Sequence, residues 1–368
     1  MNTSWLEISR SNLHHNVDYF RQLLRPPTKL FAVVKGNAYG HGQKEIVSLL
    51  KNNQAVDGFA VFELAESLAL RRQTNKPIMV LGYYSDETDD LRRAARANII
   101  LLVVSLATAQ RLNRLGVKVK VQIKVDVGTN RLGINYRQAF TEIKKIYQLK
   151  NLAVQGIFSH FADSENHQQT FTHQQFQRFS QICRQLQKNR ITSPFNHIAC
   201  TAAVLRDPAY QVQGMRLGIG LYGLSPFITG QNRGVLKPIL SWKTRVLQIK
   251  PVKPGDTVGY AQSYRVKSNG YIATLPVGYY DGYDRRLSNN AEVLIAGRRY
   301  PVVGRICMNV IMVALPQKHH IKPRQLVTLI GRDGSETVTA DELAARSHTI
   351  NYEIVSRISP LLPRIICS

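Results

Sequence analysis

A chain of 368 residues and 41.6 kDa, 44% hydrophobic and 20% charged, carries enough apolar side chains for one large α/β domain with a smaller partner and is too apolar for a disordered polymer. The formal net charge of +25 raises nucleic acid as a partner, but there is no run of five like charges, basic tail or zinc-finger spacing. We therefore expect a generally basic solvated surface and no specific nucleic acid.

The longest apolar run, residues 99–104, is too short to span a membrane. The opening MNTSWLEISR has neither the basic nor the apolar region of a secretory signal. Cys183, Cys200, Cys307 and Cys367 are dispersed, with no CxxC pair, so we expect a reducing cytoplasm, no disulfide framework and no metal site.

In chain order, a short strand at 5–8 comes first. Apolar β-rich runs follow at 30–34, 58–61, 78–81, 99–104, 119–125, 154–159, 195–198 and 215–218. Helical periodicity lies between them at 63–72, 107–115, 138–149 and 172–188. Eight strands alternating with helices predict an N-terminal (β/α)8 TIM barrel over residues 1–235. A doubly wound sheet is the rival, but no GxGxxG follows the first strand. After Gly234 turn pairs such as Asn269-Gly270, Ala296-Gly297 and Asp333-Gly334 punctuate β-branched runs, so 236–368 reads as a mostly β domain. One helix is predicted there, at 340–347, and the strand at 5–8 is placed to pair with this domain.

The string AVVKGNAYGHG (32–42) puts Lys35 at the end of an apolar parallel strand, on the barrel face where active sites form. Partial burial lowers an ammonium's pKa, and a neutral amine forms Schiff bases. Taken alone, Lys35 reads more ordinarily as a strand-end lysine reaching to water. The glycines at 36, 40 and 42 favour the ligand reading, because they allow close approach to the backbone. Near strands seven and eight lie HIACTAAV (197–204) and MRLGIGLYG (215–223), where barrels often grip phosphate. There Thr201 offers a hydroxyl, and Gly218 and Ile219 offer N–H groups. A Thr201 that merely caps the next helix is an equally good reading. VKVKVQIKVD alternates polar residues, implying a polar lumen around Lys120, Gln122, Lys124 and Asp126 or else a half-exposed antiparallel strand.

The lysine string, the barrel-then-β order and the later motifs together resemble the alanine racemases, pyridoxal 5'-phosphate enzymes of fold type III. The resemblance implies that Lys35 holds the cofactor and that Tyr39, Thr201, Gly218, Ile219 and Tyr352 of INYEI contact its phosphate. It implies that Arg216 bonds the pyridine nitrogen, with His160 of FSHFA and His197 linking this arginine to a catalytic tyrosine. An arginine keeps its proton, so the ring nitrogen would stay unprotonated and the substrate carbanion short-lived. Racemisation needs a base on each face, and the family position of the second is Tyr260 of TVGYAQSY. A phenol acts as a base near neutral pH only beside positive charge, which the Arg216–His160 pair would supply.

By the same resemblance, Arg131 of KVDVGTNRLGI and the backbone at Met308 bind the substrate carboxylate, Lys124 orients Arg131 and Tyr279 narrows the entrance. Asn309, Thr129, Cys200, Thr201 and Gly36 stand where the family more often has Asp, Met, Asn, Ser and Ala. The implied activity is interconversion of L- and D-alanine in a homodimer whose partner supplies Tyr260, furnishing D-alanine for peptidoglycan. The alternative is a serine or broad-specificity racemase.

Overall fold

The computed structural model describes residues 3–227 and 234–368. They form two compact units. One comprises His14–Gly36 and Ile46–Leu236; the other joins the described residues up to Leu13, the segment Asn37–Glu45 and Lys237–Ser368.

The first unit is a closed parallel barrel. Its strands are β1 (Lys29–Val33), β2 (Gly58–Val61), β3 (Ile78–Val80), β4 (Ile99–Val103), β5 (Val119–Asp126), β6 (Leu152–Phe158), β7 (Ala199–Cys200) and β8 (Gly214–Leu217). Each pairs in parallel with its neighbours, and β8 returns to β1 with Met215 opposite Leu30. The ring closes between β6 and β7 through a Phe158–His197 bridge. All eight predicted strands are present. The seventh, predicted at 195–198, is shifted towards Ala199–Cys200, because its closing contact is a single bridge rather than a ladder. The strands are apolar on both faces, as parallel strands covered by helices must be. β5 and β8 are exceptions: on β5 Gln122 is fully buried and Lys124 is 7% exposed, and on β8 Arg216 is buried, so the polar-lumen reading is correct and the antiparallel alternative is not.

The second unit is built on a mixed sheet. Its order is Gln248–Val252, Gly270–Leu275, Ile311–Pro316, Arg298–Val303, Ala291–Ile295, Leu326–Asp333, Leu240–Arg245, Ser4–Ser9 and Arg364–Cys367. The N-terminal strand runs antiparallel to Leu240–Arg245 and parallel to Arg364–Cys367, so it pairs with the β domain as expected. The predicted helix is present at Ala340–Arg346, started by Thr339, whose hydroxyl accepts from the Glu342 N–H. A second helix, Asn351–Ser356, corrects the one-helix reading. Its six residues are too few to display a period.

The turn Lys35–Tyr39 after β1 is left-handed: φ is 60° at Gly36, 52° at Asn37, 54° at Ala38 and 52° at Tyr39. Such a turn costs roughly 1–2 kcal/mol for each residue with a Cβ, so its surroundings must hold it. Gly40, at φ 82°, is one such restraint, because a Cβ there would lie 1.9 Å from the Val355 carbonyl oxygen. Gly40→Ala is expected to destabilise the protein by roughly 3 kcal/mol or more through clash and φ together. Gly36→Ala meets no atom within 4 Å and should cost only about 1 kcal/mol, for its φ. Denaturant midpoints compare the two; equal shifts would contradict this placement of the strain.

Candidate functional site

In the barrel unit the candidate residues gather at the C-terminal strand ends. Lys35 follows β1, Lys124 lies near the end of β5, His160 follows β6, Thr201 begins the helix after β7, and Gly218 follows β8. The end of β1 is pinned by the Tyr222 hydroxyl, which donates to the Val33 carbonyl at 2.7 Å. Glu66 accepts from the Gly36 N–H at 2.7 Å with one oxygen and from the Phe62 N–H at 2.9 Å with the other. The Lys35 ammonium lies 5.8 Å from the centre of the Phe62 ring. Burial lowers the Lys35 pKa first, then the nearby Arg131 charge; Glu66 opposes and Arg216 adds to the lowering. This is the environment in which a lysine amine is nucleophilic.

Lys124 shares that field. Burial, then Arg131 and Arg216, bring its pKa down to about 8, against a partial restoring effect of Asp126. Asp126 organises the following loop, accepting from the N–H groups of Gly128 and Thr129 at 2.8 Å and of Arg131 at 3.0 Å. Burial pushes its pKa up, but these N–H donors outweigh it and the net shift is downward. The Arg131 backbone is thereby fixed while its side chain stays exposed.

Arg216 is 5% exposed and bonds His197 Nδ1, His160 Nδ1 at 3.1 Å and the Ser159 carbonyl at 2.7 Å. A guanidinium can only donate, so both Nδ1 atoms accept and both rings carry their proton on Nε2. His197 Nε2–H therefore donates to Gln122 Oε1 at 2.7 Å. His197 thus bonds Arg216 on one side and Gln122 on the other, while the step from this arginine to a tyrosine that the resemblance implies has His160 beside it. Burial first and Arg216 second hold both imidazoles well below the ordinary histidine pKa. The positive charge expected of an Arg216–His160 pair is therefore Arg216's alone.

The Thr201 hydroxyl oxygen does not cap the helix that follows it but accepts from the Gly218 N–H at 3.1 Å and the Gly220 N–H at 3.4 Å. With both lone pairs engaged, the Thr201 hydroxyl hydrogen is the group left to donate to an anion.

The second unit carries the other candidates. Tyr39 and Tyr352 lie with ring centres 6.2 Å apart. Tyr260 is not a packing residue of a strand: it opens a short 3-10 turn and is 70% exposed. Left-handed φ values at Gly259, Ala261 and Gln262 (75°, 57° and 49°) force it outward. The Tyr279 and Tyr280 N–H groups donate to the Cys307 and Met308 carbonyls, each at 3.0 Å. A Cβ at Gly278 would lie 2.3 Å from either carbonyl oxygen, so only glycine permits this approach. Tyr279, Tyr280 and Met308 are 43%, 58% and 53% exposed, and Asn309 is exposed beside them.

His41, beside the left-handed turn, is fully buried, and its Nδ1–H donates to the Tyr39 carbonyl at 2.9 Å. Burial lowers its pKa from 6.5 to about 4. The unfolded chain therefore binds this proton more readily. The stability it contributes is whole above pH 6.5, falls as pH drops through that value, and is gone near pH 4. The difference of about 2.5 pKa units amounts to about 3 kcal/mol. Melting temperature should fall steeply between pH 6.5 and 4.5, less so in His41→Gln; parallel profiles would contradict this.

A family model described as the alanine racemase N-terminal domain matches residues 8–226, and one described as the C-terminal domain matches 239–366. The alanine racemase of Methanococcus maripaludis is 37% identical over 368 residues, covering 98% of each chain. The solved alanine racemase of Clostridium difficile 630 superposes with a TM-score of 0.92 at 33% identity, covering 100% of this chain and 96% of that one. The histidine racemase of Leuconostoc mesenteroides gives 0.91 at 29% identity, covering 100% and 98%. Model, sequence and fold agree over essentially the whole length, and the chain belongs to the alanine racemase family.

Proposed function

We propose that this protein is a homodimeric alanine racemase that uses pyridoxal 5'-phosphate and interconverts L- and D-alanine by two bases. The observation that carries the reading is the Lys35 amine at the barrel mouth, its pKa lowered by burial and set in the field of Arg131 and Arg216. The donor set fits the cofactor: an amine for its aldehyde, a hydroxyl hydrogen on Thr201 with Tyr39 and Tyr352 for its phosphate, and a permanently charged guanidinium for its ring nitrogen. When bound, the cofactor supplies an electron sink that acidifies the substrate α-hydrogen.

The chain's own residues do the rest. Arg131, with the backbone at Met308, binds the substrate carboxylate, and the Asp126 loop fixes the arginine's position. Lys124, appreciably neutral near pH 8, lies beside Arg131 and sets its approach. Lys35 Nζ takes or returns the α-proton on one face. The phenolic oxygen of Tyr260, pushed outward by its strained turn, serves the opposite face in the partner subunit. Tyr279 narrows the entrance, with Asn309 beside it.

Among the described residues no helix is long and apolar enough to cross a membrane. We place the enzyme in the cytoplasm, supplying D-alanine for peptidoglycan.

A second reading, a racemase of another or broader amino-acid range, is favoured by the histidine racemase of the same fold and by Asn309 at the entrance. Rates of enantiomer formation from L-alanine, L-serine and L-histidine decide between them. The proposal predicts the highest kcat/KM on alanine; a higher value on either of the others overturns it.

A further inference from the structure

At the opposite, N-terminal end of the barrel lies a second cavity of about 480 Å³. Lys29, Arg71, Arg96 and Lys120 line it, and no carboxylate is among the described lining residues. Its apolar wall includes Phe31 and Phe195, stacked at 5.0 Å, with the Lys29 ammonium 5.8 Å from the Phe195 ring centre.

Two of the lining residues each carry a buried donor without an acceptor among the described residues. One is Arg71 Nε, the Arg71 terminal nitrogens being committed to the Thr74 and Lys76 carbonyls. The other is Nε2 of Gln122, a fully buried residue lining the cavity. The orientation of the Gln122 amide is dictated by chemistry. Arg216 fixes the His197 tautomer, His197 donates to Gln122 Oε1, and the amide N–H₂ is left over. A buried donor without an acceptor costs about 1–3 kcal/mol, and the wall that retains these two also carries three further cations, Lys29, Arg96 and Lys120, which suits an anionic acceptor.

We propose that this cavity binds a small organic phosphate, its phosphoryl group on the basic side chains and the Gln122 amide, its apolar body against Phe31 and Phe195. Phosphate suits Arg96, whose planar fork can bond two of its oxygens at once, while Arg71, its terminal nitrogens engaged, adds charge. The site is distinct from the one proposed for catalysis, since it lies at the other end of the strands. It stands one side chain, His197, behind Arg216.

The test is calorimetric titration of the purified holoenzyme with phenyl phosphate, inorganic phosphate and benzoate in 0.15 M salt. Phenyl phosphate should saturate at one per chain, with the other two weaker by roughly tenfold, each lacking half of the recognised chemistry. Arg96→Glu and Lys120→Glu should each weaken phenyl phosphate by about tenfold or more, as should Gln122→Glu, which keeps an acceptor for His197 but repels an anion. Arg96 is exposed, so its variant should fold whatever becomes of the others. Lys51→Glu on the nearby basic surface and Thr201→Ala at the catalytic end should leave binding within twofold. Absence of saturable binding overturns the proposal. So does binding indifferent to Arg96→Glu, or binding lost as fully in Lys51→Glu or Thr201→Ala.

Discussion

Replacing Lys35 by alanine should lower kcat for racemisation by roughly 10³-fold or more, with the fold unchanged. Lys35 lies beyond the end of β1 and its ammonium meets the Phe62 ring at 5.8 Å, so truncation opens no cavity among packed apolar side chains. The loss is chemical: it removes the covalent attachment and one of two bases, and a positioned base alone contributes about 10²–10⁴-fold. Added methylamine should restore part of the rate, because the pocket that lowers the Lys35 pKa stays in place. Circular dichroism and melting temperature separate this outcome from misfolding. A folded Lys35→Ala enzyme with more than a tenth of the native kcat would contradict the role.

The second large effect appears only on mixing. Tyr260→Phe should also be nearly inactive, since the phenyl ring fills the space but accepts no proton. If the partner's Tyr260 completes each site, a hybrid of Lys35→Ala and Tyr260→Phe chains has one site carrying both defects and one carrying neither. Random re-pairing of equal amounts makes half of the dimers hybrid, so activity should return to about a quarter of native. The exposure of Tyr260, at 70%, and of the packed group Tyr279, Tyr280 and Met308 motivates this, since large apolar side chains left open on a surface suit a partner's cover. No recovery, with hybrid dimers confirmed by mass, would refute the shared site.

Much of the fold was legible because the barrel announces itself through buried strands, and buried parallel strands are apolar on both faces. The polar residues at 120, 122, 124 and 126 of β5 were informative but two-sided: alternation alone also fitted a half-exposed antiparallel strand, and the parallel pairing with the burial of Gln122 and Lys124 decides for the lumen. What the sequence concealed is local and depends on long-range closure. The left-handed turn puts Asn37, Ala38 and Tyr39 at positive φ, against their intrinsic preference, and only the flanking Gly36 and Gly40 hint at it. The helix Asn351–Ser356 is too short to show a period. The His197–Gln122 bond joins residues 75 positions apart, and no spacing rule connects them. Tyr260 sits in a 3-10 turn in which Ala261 and Gln262 have left-handed φ, although neither residue carries a turn signature.

Beside Arg216, His160 is the histidine whose Nε2–H has no partner among the described residues, and of this arginine–histidine pair the arginine carries the charge. Thr201 gathers the Gly218 and Gly220 amides on its hydroxyl oxygen, a task that needs a hydroxyl at this position.

The most direct test of two bases flanking one carbon is incubation of the purified enzyme with L-alanine in D₂O, followed by chiral separation and mass analysis. The account predicts D-alanine carrying deuterium at the α-carbon, because the proton is removed on one face and a solvent-exchanged one is delivered on the other. L-alanine that gains deuterium with no D-isomer formed would show a single base working on one face, and would contradict it.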